Sequence, residues 1–344
     1  MKILHLAAGN RWTGAAAPAF AEVEALREAG VDAHYAYVGG YKLEAKIGHL
    51  DFAHPIIRKA QNPVSFVHSV QALDRLVHRH GFDVVHAHLT HDHWLARLLA
   101  RNHPMRIART FHARRVLRND PLSRALLGAT QHRFVVNADF RDRVRGAIFT
   151  PPPLDHRQFS PKGPDARPLY ALGDETLVTV IGKLSAGRGF EEALQTFAAL
   201  RRLTPCRMMI IGHGEHRPAL EALAGALDLQ ADLIWAGYHE DDLAEHYRAS
   251  SLLLFTARGS DEGHRAILEA LACGVPVVSY PLEGVHALLP PSGIAAAPTP
   301  EALAATAATL LSRERETLRQ EAYERSLEFG YDKAAARLIA GYGG

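Results

Sequence analysis

The sequence predicts an α/β protein built from two doubly wound, Rossmann-like domains that face a central cleft. Its length of 344 residues fits two domains of typical size. Strand-like and helix-like segments alternate along the chain, which is typical of parallel sheets covered by helices. The alternation stops at a proline-rich stretch and then starts again, so each half is expected to form its own sheet.

The first half predicts a domain over residues 1–152. Short apolar runs predict its strands, and stretches with apolar residues three or four apart predict its helices. The predicted strands are 2–7, 32–38, 83–88 and 106–111, and the predicted helices are 16–29, 64–80 and 93–101.

A linker is predicted where Pro151, Pro152 and Pro153 are followed closely by three more prolines. The second domain is expected over residues 153–328. Its predicted strands are 177–181, 207–211, 233–236, 252–255 and 277–279, and its predicted helices are 190–203, 218–227, 241–249 and 263–272. A final helical stretch is expected around 323–342, with an interruption at Phe329-Gly330-Tyr331.

Composition excludes several classes of protein. The two cysteines, Cys206 and Cys273, form no C-x-x-C pair, which argues against a disulfide framework or a cysteine-rich zinc site. No apolar run approaches the roughly 18 residues of a spanning helix, and the first residues predict a strand and not a signal segment. We therefore expect a cytoplasmic protein.

The small net charge hides an asymmetry between the two halves. Residues 1–150 hold 21 Lys and Arg against 12 Asp and Glu, and the stretch 97–145 alone holds 12 Arg against three acids. Such a stretch suits an anionic partner, here a membrane surface, although a solvated arginine-rich surface has the same composition. Because no recognition motif accompanies it, we expect no nucleic-acid partner.

Ligands of doubly wound sheets bind beyond the carboxyl ends of the strands, so the loops there are informative. The loop of residues 9–14 lacks both the G-x-G-x-x-G pattern and the Lys-Ser/Thr of a P-loop. Gly14 would still let a phosphate approach the next helix, or it is an ordinary turn glycine. After strand 177–181, Lys183 and Arg188 stand among glycines and could clamp a diphosphate, although two solvated cations would look the same.

Two further loops complete the set. Gly212 belongs to a glycine-flanked turn. Asp261 and Glu269 are eight residues apart, about 12 Å along a helix, which could span a sugar nucleotide. Burying a carboxylate in the apolar helix around Glu269 is expensive without a partner, which favours a functional role for it.

Taken together, these segments resemble the retaining nucleotide-sugar glycosyltransferases of the GT-B fold, family 4 (glycosyl transferases group 1). The resemblance rests on Thr110-Phe111-His112, on the junction Pro152-Pro153-Leu154-Asp155, on the cation pair after strand 177–181, and on acids eight apart before Ala-x-Ala-x-Gly-x-Pro. Two features depart from the family. Lys183 and Arg188 stand in reversed order, and Asp261 replaces the first glutamate, for which Glu262 could substitute.

The resemblance implies a site and a reaction. The implied catalytic residues are His112, Lys183, Arg188 and Asp261, and the implied donor-binding residues are Gly14, Gly212, Tyr238, Glu262, Gly263 and Glu269. Lys183 and Arg188 would neutralise the leaving diphosphate, Tyr238 would lie at the base, and Glu269 would bind the ribose. The reaction would retain anomeric configuration without a protein nucleophile, cofactor or metal.

The implied partners are a nucleotide diphosphate sugar, with a UDP-sugar favoured, and a glycan or lipid-linked acceptor of cell-envelope polysaccharide synthesis. The protein would be peripheral on the inner face of the membrane, and its final helix, 329–344, would return to the first domain. The alternatives are a sugar-nucleotide 2-epimerase of the same fold and a catalytically silent sugar-nucleotide-binding protein. The histidines at 86, 88, 91 and 93 look like a metal cluster, but transferases of this type commonly carry histidine here, so no metal is expected.

Overall fold

The computed structural model describes residues 1–9, 14–59, 62–114, 120–257 and 263–343. The chain divides into two units. Unit 1 comprises Met1–Pro153, Ser260–Gly263 and Phe329–Gly344, and unit 2 comprises Leu154–Gly259 and His264–Glu328. Each unit has its own parallel sheet flanked by helices, which confirms the predicted fold class.

Unit 1 is a doubly wound sheet with seven strands over its described residues, in the order β3-β2-β1-β4-β5-β6-β7. The strands are β1 (Lys2–Ala7), β2 (Asp32–Val38), β3 (Ala53–Ile57), β4 (Val84–Ala87), β5 (Arg106–Phe111), β6 (His132–Val135) and β7 (Ile148–Phe149). The helices are α1 (Ala16–Glu28), α2 (Lys42–Ile47), α3 (Pro63–His80), α4 (Thr90–Asn102) and α5 (Pro121–Gly128). Chain order reverses between β1 and β4, so the switch point lies at the carboxyl ends of these two strands.

Unit 2 is a doubly wound sheet whose described strands run in the order β10-β9-β8-β11-β12. These strands are β8 (Leu177–Ile181), β9 (Arg207–Ile211), β10 (Leu233–Gly237), β11 (Leu252–Phe255) and β12 (Val277–Ser279). The helices are α6 (Phe190–Leu200), α7 (Arg217–Ala226), α8 (Leu243–Ala249), α9 (Arg265–Ala272), α10 (Pro300–Leu311) and α11 (Arg315–Ser326). Its switch point lies between β8 and β11.

The last helix, α12 (Tyr331–Gly343), belongs to unit 1 although it follows all of unit 2 in sequence. It packs against α1 and reaches β6. Tyr342 is fully buried in the unit 1 core, and Gly341 lies so close to the Phe134 ring that a Cβ there would collide with it. The helix that was expected to return to the first domain does so.

Several element boundaries differ from the sequence expectation for local reasons. Helix α4 begins at Thr90 and not at 93, because the Asp92 carboxylate accepts the Leu89 and Ala8 backbone N–H groups at 2.7 and 2.9 Å. Helix α9 begins at Arg265 and not at 263, because His264 takes the left-handed conformation (φ 51°). Among the described residues, no helix is both long and apolar enough to cross a membrane.

Candidate functional site

The loops at the carboxyl edge of the unit 2 sheet are joined by backbone contacts that require glycine. Gly212, after β9, has φ 142°, and a Cβ there would collide with the Gly182 carbonyl oxygen of the loop after β8. Gly189 has φ 84°, and a Cβ there would collide with the Thr256 carbonyl oxygen, after β11. The Thr256 hydroxyl also donates to the Gly189 carbonyl at 2.7 Å. Main-chain contacts therefore join the loops after β8, β9 and β11 at the switch point. We call this edge, formed by residues 182–189, 212–215 and 256, the unit 2 rim.

The two predicted phosphate-binding cations lie in this rim. Lys183 is exposed, and its Nζ is 3.6 Å from Glu215 Oε2 in the loop after β9. Arg188 is partly buried and directly precedes Gly189, which caps the start of α6. Because Lys183 already faces an exposed carboxylate, an incoming anion would compete with Glu215 for it. The Glu215 carboxyl has a lowered pKa because of a hydrogen bond from its own backbone N–H and the charge of Lys183.

Glu269 is nearly buried on α9, and both of its carboxylate oxygens have partners. The Tyr247 hydroxyl donates to Oε2 at 3.1 Å, and Arg265 donates to Oε1 at 3.0 Å. The hydroxyl of Tyr247 is itself buried, and burial with the nearby Glu269 charge raises its pKa well above the usual value. The apolar helix therefore carries a compensated carboxylate, and its burial alone does not require a ligand.

The other donor-side residues of unit 2 are only partly described. Tyr238 is exposed and donates to Glu240 at 3.0 Å, while its ring meets the His213 ring edge-on at 5.0 Å. Asp261 and Glu262 lie outside the described residues. Gly263 belongs to unit 1, where a Cβ would come within 2.7 Å of the Pro152 ring.

In unit 1, His112 lies at the carboxyl end of β5 and forms a hydrogen bond with a second histidine. Its Nε2 is 2.9 Å from Nδ1 of His88, which directly follows β4. Burial and the charge of Arg109 lower the pKa of His112 to about 3, so the ring is neutral at neutral pH. Gly14 has φ 64° ahead of α1, and nothing described lies within 4 Å of where a Cβ would be.

A pocket of about 520 Å³ that the sequence does not predict lies at the carboxyl ends of β2 and β3. Its polar lining includes Glu44, Arg58, Lys59, Asn62 and His68. No sequence motif marks this pocket, and one of the two strands beside it, β3, was not predicted. The partners Tyr247, Arg265 and Glu215 carry no sequence motif either, and only their contacts identify them.

Two family models match this chain. The model described as glycosyl transferases group 1 matches residues 175–313, and the one described as Glycosyltransferase Family 4 matches residues 12–154. A GDP-mannose-dependent alpha-(1-6)-phosphatidylinositol dimannoside mannosyltransferase of Mycobacterium tuberculosis is 27% identical over 318 residues, covering 90% of this chain and 80% of the relative. A related monomannoside mannosyltransferase of Mycolicibacterium smegmatis is 31% identical over 141 residues, covering 38% of this chain and 37% of the relative.

Solved structures share the fold at low identity. A glycosyltransferase from Rickettsia africae aligns with a TM-score of 0.83 at 14% identity, covering 99% of this chain and 97% of that one. The Anabaena HepE protein in complex with UDP aligns with a TM-score of 0.81 at 14% identity over the whole of both chains. With matches in both halves and the two-sheet fold, the chain is a group 1, family 4-like glycosyltransferase of the GT-B type.

Proposed function

We propose that this protein transfers a hexose, with mannose foremost, from a nucleoside diphosphate sugar held by unit 2 to a cell-envelope acceptor held by unit 1. The observation that carries the proposal is the rim at the unit 2 switch point, where Lys183, Arg188 and the α6 N-terminus follow one strand. Cations and free backbone N–H groups in one loop suit a diphosphate.

The chemistry assigned to this rim is stabilisation of the leaving group. As the bond from the anomeric carbon to the diphosphate breaks, negative charge grows on the phosphate oxygens, and Lys183 and Arg188 oppose it. When the donor binds, the Lys183 ammonium group would leave the Glu215 carboxylate and contact the phosphate. The anomeric carbon becomes oxocarbenium-like, and the acceptor hydroxyl enters on the same face while its proton passes to the departing phosphate oxygen, so configuration is retained without a protein nucleophile. The proposed step requires no metal ion.

Glu269 is proposed to bind the ribose, as the family resemblance implies. An ionised carboxylate can accept several hydrogen bonds, and those from Tyr247 and Arg265 hold the Glu269 carboxylate in place. His112 is proposed to contact the sugar or the leaving phosphate, with Gly14 below the diphosphate. Asp261 or Glu262 is proposed to fix a sugar hydroxyl, and Tyr238 to lie at the base.

The donor base is proposed to be guanine. The family resemblance favours a UDP-sugar, and the structural relatives crystallised with UDP fit that choice at 14% identity. The relatives named for GDP-mannose are more similar in sequence, at 27 and 31% identity, and this favours GDP-mannose.

The acceptor is proposed to be lipid-linked and presented by an anionic surface. The pocket beside β2 and β3 offers Arg58 and Lys59 to a phosphorylated acceptor headgroup. Of the arginines between 97 and 145, Arg106, Arg109 and Arg133 are committed to the protein interior or to backbone carbonyls. Arg114 and Arg124 are exposed, whereas Arg115 and Arg118 lie outside the described residues.

Calorimetric titration with GDP-mannose and UDP-glucose tests the donor. We expect Lys183→Ala and Arg188→Ala each to weaken binding at least about tenfold, and the matched exposed-lysine variant Lys162→Ala to leave it unchanged. If GDP-mannose and UDP-glucose both fail to bind, or if Lys183→Ala binds within twofold of the unsubstituted protein, the donor assignment is wrong.

Product analysis tests the reaction. Incubation with donor and lipid extract should give a glycolipid whose new bond has the donor's anomeric configuration by NMR, at a rate that added Mg²⁺ or Mn²⁺ does not raise. Donor binding without any product would indicate the silent protein, and a changed sugar without acceptor would indicate the epimerase.

Vesicle co-sedimentation tests the membrane surface. Binding is expected to need anionic lipid, to weaken as salt rises, and to fall in an Arg114→Ser/Arg124→Ser variant, because each cation near an anionic leaflet adds about 1 kcal/mol. Equal binding to neutral vesicles would contradict the electrostatic attachment.

A further inference from the structure

We propose that unit 1 contains a closed binding site for a divalent transition metal, zinc above all, formed by His5, Glu22, His86 and His88. This site goes beyond the transfer reaction and does not depend on the donor or acceptor. It differs from the run of histidines in the sequence, because only two of that run take part.

Three separate segments bring the four side chains together. His5 is on β1 and lies opposite His86 in the β1–β4 register. His88 directly follows β4 and lies two residues beyond His86, on the same face of the extended chain. Glu22 comes from α1, which packs on β1. All four are at most 1% exposed.

The ligand atoms face one another at distances near those of a metal site. Glu22 Oε2 is 3.7 Å from His5 Nδ1, 3.8 Å from His86 Nδ1 and 3.7 Å from His88 Nε2. All four ligand atoms lie within 4.8 Å of one another. Ligands about 2.0–2.1 Å from a tetrahedral zinc are about 3.3 Å apart, so the three distances from Glu22 exceed that spacing by only about half an ångström.

The carboxylate of Glu22 supports a bound cation. Its Oε2 is buried, and among the described residues it has no hydrogen-bond partner. A buried carboxylate oxygen without a partner is costly, whereas coordination to a cation would satisfy it. In contrast, both carboxylate oxygens of Glu269 accept hydrogen bonds, from Tyr247 and Arg265.

Each histidine also has an outer partner on the ring nitrogen that would not bind the metal. His86 Nε2 is 2.8 Å from Thr110 Oγ1, His88 Nδ1 is 2.9 Å from His112 Nε2, and His5 Nε2 is 3.4 Å from the Tyr342 hydroxyl. Metal-binding histidines are usually oriented by such partners, which also set the tautomer. The outer partners are therefore already in position around the cluster.

Metal binding would replace two existing contacts. His5 Nδ1 and His88 Nε2 are hydrogen-bonded at 3.0 Å, and His86 Nδ1 is 2.6 Å from the Tyr342 hydroxyl. With His88 Nε2 on the metal, Nδ1 of His88 carries its proton and donates to His112. His112 is then fixed with its own proton on Nδ1. A four-ligand buried site leaves no open position for substrate, so the metal's role is structural.

A second group of candidate ligands provides an internal control. His239, Asp242 and His246 lie within ligand distance in unit 2, but His239 and Asp242 are only partly buried. His239 Nδ1 already lies 2.9 Å from the Asp242 carboxylate, and no ligand atom of this group stands buried without a partner among the described residues.

The test measures zinc in untagged full-length protein by mass spectrometry after gel filtration without added metal. We expect about one zinc per chain, and after chelation we expect Zn²⁺ to restore it and to raise the melting temperature. Glu22→Gln and His5→Gln should lower zinc affinity at least about tenfold, whereas His239→Gln should not.

Two outcomes would overturn the proposal. One is chelated protein that takes up no zinc and shows no thermal shift. The other is zinc that survives Glu22→Gln and is lost in His239→Gln. If the unit 1 variants fail to fold, Co²⁺ loaded into the unsubstituted protein decides: a four-coordinate visible spectrum that also appears in His239→Gln supports the site, and a six-coordinate spectrum contradicts it.

Discussion

The two units form their candidate sites from different parts of the polypeptide, one from main chain and the other from side chains. Unit 2 makes its rim from main chain, with Gly189 and Gly212 in contact with neighbouring loops and with Lys183 exposed at the edge. Unit 1 makes its cluster from side chains inside the core, where His5, Glu22 and His86 are all buried. Fourteen of the 21 histidines lie between residues 1 and 153. The rim cations directly follow a predicted strand, whereas residues 5, 22 and 86 share no sequence motif.

The largest expected effect comes from adding a methyl group to the unit 2 rim. Gly212→Ala should lower the free energy of unfolding of unit 2 by about 2–5 kcal/mol, because the new Cβ collides with a main-chain oxygen at positive φ. Gly187→Ala is the matched control, since its φ is 72° but no described residue lies within 4 Å of where its Cβ would be. Amide exchange of β8 and β9 reports the change. Equal exchange in both variants would mean that the main-chain contact is dispensable.

The next effect separates the two buried carboxylates. In chelated protein, Glu269→Leu should cost about 1–3 kcal/mol, because the buried Tyr247 hydroxyl loses its acceptor. Glu22→Leu should be neutral or stabilising under the same conditions, because its Oε2 has no partner to lose among the described residues. Amide exchange in each unit measures both. A loss of stability in Glu22→Leu as large as in Glu269→Leu would contradict the comparison.

A smaller effect is expected from lowering the pH, which should reduce the folding stability of unit 1. Burial, with the charges of His34, His80 and Arg79, lowers the pKa of His54 to about 4, while Asp51 opposes the shift. The unfolded chain therefore binds a proton near pH 6.5 that the folded chain does not, and stability is lost as pH falls from 6.5 toward 4.

The His54 effect can be isolated by substitution. His54→Gln should reduce the difference in amide exchange of β2 and β3 between pH 7 and pH 5, because glutamine does not titrate there. His68→Gln is the control, since His68 lies in the same unit on α3. An unchanged pH dependence in His54→Gln would exclude His54 as its source.

The smallest effect concerns the ion pair in the unit 2 rim. Glu215→Gln should release Lys183 for phosphate and tighten donor binding by no more than about threefold, because exposed ion pairs are weak. Glu221→Gln, which removes the exposed pair with Arg217, is the control and should leave donor affinity unchanged. Weaker donor binding in Glu215→Gln would indicate that Glu215 orients Lys183 instead of competing for it.

Much of the fold could be predicted because most strands are apolar runs bounded by loops. Strands β1, β2, β5, β8, β9, β11 and β12 have the expected bounds. Strand β3 was missed because it is an edge strand containing Pro55, and β6 because it begins with His132 and Arg133. Edge and polar strands lack the apolar pattern on which the prediction depends.

The donor rim could be predicted in part, because Lys183 and Arg188 immediately follow a strand that the sequence makes evident. The unit 1 cluster could not. His91 and His93 are near His88 in sequence, but helix α4 takes His93 to Thr130, at 2.7 Å, and His91 to the Phe66 ring. The partners that do join His86 and His88 are far away in sequence, and no spacing rule relates residues 5, 22 and 86.

The place of Tyr342 in the core of unit 1 bears on how the chain is synthesised. Its hydroxyl lies beside His5 and His86, 337 and 256 positions earlier in the sequence. Domains generally fold in the order in which the ribosome delivers them. Here the place of Tyr342 in the unit 1 core stays unfilled until all of unit 2 has been synthesised. The core of unit 1 can therefore be completed only after unit 2 has been synthesised, although unit 1 contains the first residues of the chain.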